Sequence, residues 1–331
     1  MKAAFHNQFG APHILFIKEV ERPTVAPDQL LVRVHASPVT QGDRRLRAAD
    51  YPGISAVIGR LMFGVLRPKN PIPGTMFAGR VVAIGDEVTR FAVGDDVFGG
   101  VDNSAQAEYV AVAEDGAVAP MPSGIDYAEA AAAPYGAATA LSFLRDVGRV
   151  QPGDKVLIVG ASGGVGRYAV QIARHLGADV TGVCSARHAE LVRSLGAGRV
   201  IDYAKEDYTQ SGATYDVIFD TASGDGFRAA RKVLAPSGRY LTVYLSLLVL
   251  AQMLVTAVLG GRKVRGAVVL PSQQLTRDVG ALLEEGAVRP VIAAQFPLDH
   301  VVDAHAELEE QRPAGEVMVL IGSPPALQLA S

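Results

Sequence analysis

Cysteine is nearly missing from this 331-residue chain: Cys184 stands alone, and there is no tryptophan. A single thiol excludes an internal disulfide and a cysteine-clustered zinc site. An excess of charge of either sign is missing too. The 31 lysines and arginines face 34 aspartates and glutamates, so the formal net charge is only −3. Across the whole chain no basic field exists, which counts against nucleic acid or an acidic membrane as partner. The opening MKAAFHNQFG has no apolar signal-peptide core, so the cytoplasm is the expected compartment.

One long run lacks charge altogether. Residues 240–261, YLTVYLSLLVLAQMLVTAVLGG, reach the length of a bilayer span. The β-branched opening, Gly260 and Gly261, and the globular pattern on either side instead predict a buried strand followed by an apolar helix. Contact with a membrane is the lesser expectation.

The length suits two domains, each able to bury a core. Through the first 120 residues short apolar runs (LLVRVHA, GRVVAIGDEV, DDVFGG, AEYVAVA) alternate with Gly, Pro and Asp, predicting an antiparallel β domain over 1–122. An alanine-rich helical segment opens a second domain at Ser123. From Lys155 the rhythm is strand, glycine turn, helix: KVLIVG, ASGGVG, RYAVQIARHLGA, DVTGVCS, a helix ending at LGAGR, then VIDY. YDVIFDTA, a helix FRAARKVLAPSG and RYLTVYL extend the series to at least five strands. Such alternation predicts parallel βαβ units over 123–265. Residues 266–331 hold GAVVL, a helix TRDVGALLEEG and a closing strand EVMVLIG, which is expected to rejoin the first domain. The fold class is α/β, a Rossmann-type parallel sheet beside an antiparallel β domain.

Between the strand VLIV and the helix RYAVQIARHLGA stand Gly160, Gly163, Gly164 and Gly166, with Ser162 and Val165 among them. Small residues there let backbone approach a pyrophosphate whose charge meets the helix N-terminus, so a dinucleotide is expected. The second strand decides which one. An NAD site places Asp or Glu at that strand's end, against the ribose 2′-hydroxyl. Here the sequence is CSARH, with no carboxylate between Val183 and His188 and with Ser185 and Arg187 free to donate to a 2′-phosphate. NADPH is the expected cofactor.

On these residues the chain resembles the medium-chain dehydrogenase/reductase superfamily, in its zinc-lacking quinone oxidoreductase-like branch. The resemblance runs along essentially the whole chain and is carried by ASGGVG, LVRSLGAGRVIDY, RLMFGVLRPKNPIPG before FAGRVVAIG, and GAVRPVI. It implies a GroES-like β domain built from both chain ends, a Rossmann domain between them, and an active cleft at their junction. It further implies that Tyr203 joins Ser185 and Arg187 around the 2′-phosphate, that Thr139 lies near the nicotinamide, and that Val243 also contacts the cofactor. Zinc-containing relatives carry cysteine in the segment matching 39–43, a His-Glu pair after the glycine matching Gly74, and a second cysteine near Tyr135. This chain has Thr40, Thr75, Met76 and Tyr135 there, without the thiolate or imidazole that zinc prefers. His6, His13, His35, His175, His188, His300 and His305 are scattered without ligand spacing, so no metal is expected. Where zinc-free relatives commonly carry asparagine, aspartate and lysine stand Thr40, Met76 and Leu270, and Glu316 replaces a usual lysine, which implies a drier pocket.

Taking hydride from a simple alcohol normally requires a Lewis acid or general base. Adding it to a quinone or α,β-unsaturated carbonyl asks for alignment and a proton from water or a hydroxyl. Thr40, Tyr51 and Tyr135 are the hydroxyls expected to line the site, and the substrate is expected to be small and lipophilic. Two alternatives stand beside this reading. One is an NADPH-dependent reductive cyclase of a polyene intermediate, suited by the apolar residues 240–260 and 61–66. The other is a redox-inactive NADPH-binding relative with a partner such as RNA, against which the acidic balance counts. The exposed apolar edge expected at 267–270 predicts a homodimer, with part of 245–259 roofing the cleft or reaching the neighbouring subunit.

Overall fold

The computed structural model describes residues 1–51, 55–222, 226–311 and 313–322. Two compact units emerge. One comprises residues 1–51, 56–135 and the segment from 271 onward, the other chiefly residues 136–270. The division thus falls at 135/136, some way beyond the change of composition at Ser123, and again at 270/271.

In the first unit β1 (Lys2–Phe5) and β2 (Phe16–Glu19) form a small antiparallel pair. A seven-stranded sheet contains β3 (Gln29–Val39), β4 (Met76–Ile84), β5 (Asp96–Gly100), β6 (Tyr109–Ala113) and β7 (Val118–Pro120). Helices α1 (Gln41–Ala48) and α2 (Ser55–Phe63) lie between β3 and β4 in the sequence. Late in the chain come α8 (Gln273–Glu284), β14 (Ile292–Pro297), α9 (Val301–Glu310) and β15 (Glu316–Leu320). The strand β15 pairs antiparallel with β3, so the closing segment does return to the first sheet. Its other neighbour, β14, runs parallel, which makes the sheet mixed. Alternate residues point inward, as the pleat requires, and Leu30, Val32, Phe77, Val97, Val110 and Val317 meet in one core.

Helix α3 (Tyr127–Leu141) leads into the second unit. There β8 (Lys155–Val159), α4 (Gly166–His175), β9 (Asp179–Cys184), α5 (Ala189–Ser194), β10 (Arg199–Asp202) and β11 (Tyr215–Asp220) follow one another. The series ends with α6 (Phe227–Ala230), β12 (Leu234–Thr242), α7 (Leu247–Leu259) and β13 (Lys263–Gly266). All six strands are parallel, in the order β10-β9-β8-β11-β12-β13. The order reverses between β8 and β11, and in open α/β sheets ligands bind beyond the strand ends at such a reversal.

Three local expectations change. FRAARKVLAPSG yields only the four-residue α6, because Pro236 and Gly238 cannot continue a helix and are taken into β12 instead. A register shift between Tyr215 and Val217 on the neighbouring strand accommodates them. Residues 267–270 form no strand, since pairing of β12 with β13 ends at Thr242 and Gly266 and nothing among the described residues continues the ladder. The apolar run divides as a buried β12 followed by a helix, yet of α7 only Val249 is fully buried. Among the described residues, no helix is long and apolar enough to cross a membrane.

Candidate functional site

The glycine turn occupies the reversal in strand order. Gly160 ends β8 with φ of 80°, a left-handed conformation that side chains other than glycine rarely adopt. A Cβ on Gly166 would lie 2.0 Å from the carbonyl oxygen of Gly160, so α4 can start this close to β8 only with glycine there. Gly164 is different: a Cβ would meet nothing within 4 Å. Its bare backbone therefore keeps open the space in front of the turn. No side chain caps α4 at Val165, so no side chain occupies the helix N-terminus where an anion would sit, although the Arg167 amide donates to Gly163 O at 3.0 Å.

A cationic side chain lies beneath the turn. Arg167, almost fully buried in the first turn of α4, donates from Nη1 to the carbonyl oxygen of Ser162 at 2.9 Å. At the end of β9 the chain turns through a short 3-10 helix over 186–188. This brings His188 Nδ1 to 3.2 Å from Ser162 Oγ and 3.4 Å from Ser185 Oγ. Desolvation first, then the charges of Arg187 and Arg167, lower the His188 pKa, so the ring is neutral near pH 7. Arg187 is solvent-exposed. The pairing of Asp202 with Cys184 sets Tyr203, also exposed, beside Ser185 at neighbouring strand ends, and the amide of Tyr203 donates to Cys184 O at 3.2 Å. Val243 directly follows β12, at the same end of the sheet, and Thr139 is half-buried on α3. Ser162, Ser185, His188 and Tyr203 thus gather with Arg187 around an open glycine turn. These residues fit the phosphates of a nicotinamide dinucleotide: donors and cations converge, and the backbone is bare where a Cβ would stand.

A second cluster sits at the start of α1, in the other unit. Thr40 is the N-cap. Its Oγ1 donates to Asp43 Oδ2 at 2.7 Å and accepts from Asp43 N at 3.1 Å, while Thr40 N donates to the same carboxylate at 2.8 Å. Thr75 Oγ1 donates to the other oxygen, Oδ1, at 3.0 Å. Burial pushes the Asp43 pKa up, and the hydrogen bonds from Thr40 and Thr75 oppose that shift. The Tyr135 ring lies close by, since a Cβ on Gly42 would be 3.2 Å from both Tyr135 Cε2 and Thr40 Oγ1. Thr40, Thr75 and Tyr135 are therefore neighbours, and Thr40 has the flanking carboxylate that the sequence did not reveal. Tyr51 packs elsewhere. Its ring lies against Gly59 and stacks on Phe63 at 6.1 Å, and its buried hydroxyl has no hydrogen-bond partner among the described residues. No group of three or more His, Cys, Asp or Glu side chains among the described residues is arranged to hold a metal.

Asp43, Arg167 and His188 carry no assignment from sequence. Asp43 had a usable signal, the T-x-x-D spacing of a capping box. Arg167 and His188 had none, because each acts through a contact that only folding creates.

The family described as alcohol dehydrogenase GroES-like domain matches residues 26–205, and that described as zinc-binding dehydrogenase matches 195–319. The latter span includes none of Thr40, Thr75, Met76 and Tyr135. A 2-methylene-furan-3-one reductase of Solanum lycopersicum is 31% identical over 96% of this chain and 79% of its own length. An NADPH-dependent alkenal/one oxidoreductase, chloroplastic, of Arabidopsis thaliana is 30% identical with the same coverage of both chains. Among solved structures, the quinone oxidoreductase from Coxiella burnetii is similar with a TM-score of 0.85 and 27% identity, covering 97% of this chain and 99% of the other.

Proposed function

Because this chain belongs to the medium-chain dehydrogenase/reductase superfamily, in its quinone oxidoreductase-like branch, we propose that it is an NADPH-dependent, zinc-independent reductase of conjugated acceptors. The observation that carries this reading is the end of β9, where Ser185, Arg187 and His188 stand and no carboxylate lies between Val183 and His188 in the sequence. Relatives named as reductases of a methylene-furanone and of alkenals support the acceptor class.

The turn from Gly160 to Gly166 and the start of α4 would hold the pyrophosphate, and Arg187, Ser185 and Tyr203 the 2′-phosphate. Bound there, the cofactor supplies a hydride to the electron-poor carbon of an enone or quinone. Zinc has no place in this scheme: Thr40 and Thr75 both give their hydroxyl protons to Asp43, and neither offers the soft or imidazole ligand that zinc prefers. Thr40 gives its hydroxyl hydrogen bond to Asp43, which ties it to that carboxylate. Tyr135, whose ring neighbours this cluster, is the residue to which we assign the proton-delivering role. We expect this acceptor to be lipophilic.

The test is consumption of NADPH against a panel of quinones and enones, with product masses recorded and the metal content of the same sample measured. Hydroquinones from the quinones and saturated ketones from the enones, without stoichiometric zinc, are expected. Longer alkyl chains on the enone should raise kcat/KM, by at most ~0.8 kcal/mol per methylene buried. Activity that disappears with removal of bound zinc, or turnover of simple alcohols only, contradicts the reading.

A further inference from the structure

Helix α7 presents aliphatic side chains to solvent. Leu247, Leu250, Leu254 and Val258 recur at helical spacing and form one stripe, with Leu248, Val255 and Leu259 beside it. Leu254 is 70% exposed and Val258 78%. Isolated exposed leucines are ordinary, whereas a continuous stripe along a 13-residue helix is a surface that something covers.

The charge around this stripe is one-sided. Between residues 226 and 276 there are seven lysines and arginines and no aspartate or glutamate, although the chain as a whole is net −3. Two of the seven face carboxylates from outside this stretch: Arg239 pairs with Asp154, and Lys232 lies within electrostatic reach of Asp207. Arg228, Arg231 and Lys232 are exposed beside α6. Arg231 and Arg262 line a groove of about 480 Å³ whose wall includes Val255 and Leu259 of α7. Lys263 reaches back to the carbonyls of Thr256 and Ala257, which sets its ammonium at the C-terminal end of the helix. Net charge over the whole chain conceals this basic zone.

We propose that α7 and its basic rim dock the protein on an anionic lipid bilayer surface. At about 1.5 Å per residue the helix is roughly 20 Å long, too short for a hydrocarbon core of about 30 Å, so it lies in the interface and does not span. The exposed stripe enters the acyl region while Arg231, Arg262 and Lys263 meet headgroup phosphates. A second copy of the chain fits less well. Two-fold pairing through α7 would set the rim of Arg231, Arg262 and Lys263 against its twin, like charge against like. An acidic protein partner fits less well too, because α7 contains no aromatic residue to anchor a protein interface. This inference does not depend on which nicotinamide or acceptor the protein uses.

Flotation of the full chain with phosphatidylcholine vesicles, and with vesicles also containing phosphatidylglycerol, provides the test. Binding to the anionic vesicles alone, weakened by added salt, is expected. Leu254→Glu/Val258→Glu, at exposed positions, should abolish flotation and leave NADPH affinity and thermal unfolding unchanged. Arg231→Gln and Arg262→Gln should each weaken it about five-fold. Failure to float with anionic vesicles overturns the proposal, as does equal binding to neutral ones. So does a dimer in light scattering that Leu254→Glu splits, which would make the second copy the occupant, or an acidic protein captured in place of vesicles.

Discussion

Thr40 and Asp43 hold each other in a reciprocal pair: the threonine hydroxyl gives its proton to Asp43 Oδ2 at 2.7 Å and receives the Asp43 amide at 3.1 Å. The carboxylate accepts from Thr40 and Thr75 on its two oxygens, so it joins the start of α1 to the segment before β4. Asp43→Asn would replace one accepting oxygen with an amide donor, so either the Thr40 amide and hydroxyl lose their acceptor or the Thr75 hydroxyl has to turn and accept. The expected loss is about 1–3 kcal/mol of stability, read as a lower urea midpoint with unchanged m-value. A midpoint equal to that of the parent would show that the pair is replaceable.

A buried polar network in the same unit makes stability depend on pH. Arg47 contacts His305 Nδ1 at 2.7 Å and pairs with Glu309, while His305 Nε2 lies 3.1 Å from Gln106 Oε1. Burial, then the charges of Arg47 and His6, place the His305 pKa well below its ordinary value of 6.5. The folded protein therefore keeps this imidazole neutral where the unfolded chain takes up a proton. Stability is fully present above about pH 6.5 and falls as pH drops below it, by up to about 1.4 kcal/mol per pH unit for one proton. Urea titrations between about pH 7.5 and 5.5 should show this slope, and His305→Gln should reduce it. A pH-independent midpoint in the parent chain would rule it out.

The edge of the Rossmann sheet makes a prediction about assembly. β13 is the last strand in its sheet, and beyond it Val268 and Leu270 are 71% and 74% exposed. An unpaired apolar edge finds satisfaction in a second copy aligned across a two-fold axis. Light scattering should report twice the chain mass, and Val268→Lys with Leu270→Lys should return it to the monomer. A parent chain that is monomeric at every concentration tested removes the pairing argument.

Much of this architecture was legible because it is local. The strand-turn-helix at 155–175 repeats apolar and glycine positions that backbone geometry dictates, and β8 and α4 occupy those residues. The missing carboxylate after β9 could be read for the same reason, since strand ends follow from strand patterns. Other features depend on distant contacts. FRAARKVLAPSG has helical residues at its start, but pairing with β11 takes 234–242 as a strand. Residues 267–270 carry a strand pattern and have no neighbour among the described residues to pair with. The bridge from His188 to Ser162 spans 26 residues of sequence, and Thr75 reaches Asp43 across 32, so neither has a sequence period to betray it. The exposure of α7 was hidden by its own hydrophobicity, which predicts burial in any monomer large enough to provide a core.

The central claim is that the end of β9 selects NADPH, and paired fluorescence titration of NADPH and NADH tests it most directly. Charge-assisted bonds from Arg187 and its neighbours to the 2′-phosphate should make NADPH tighter by roughly 1.5–3 kcal/mol, and Arg187→Ala should remove most of that difference while leaving NADH affinity as it was. Equal affinities of the parent protein for the two cofactors, or a clear preference for NADH, would contradict the account.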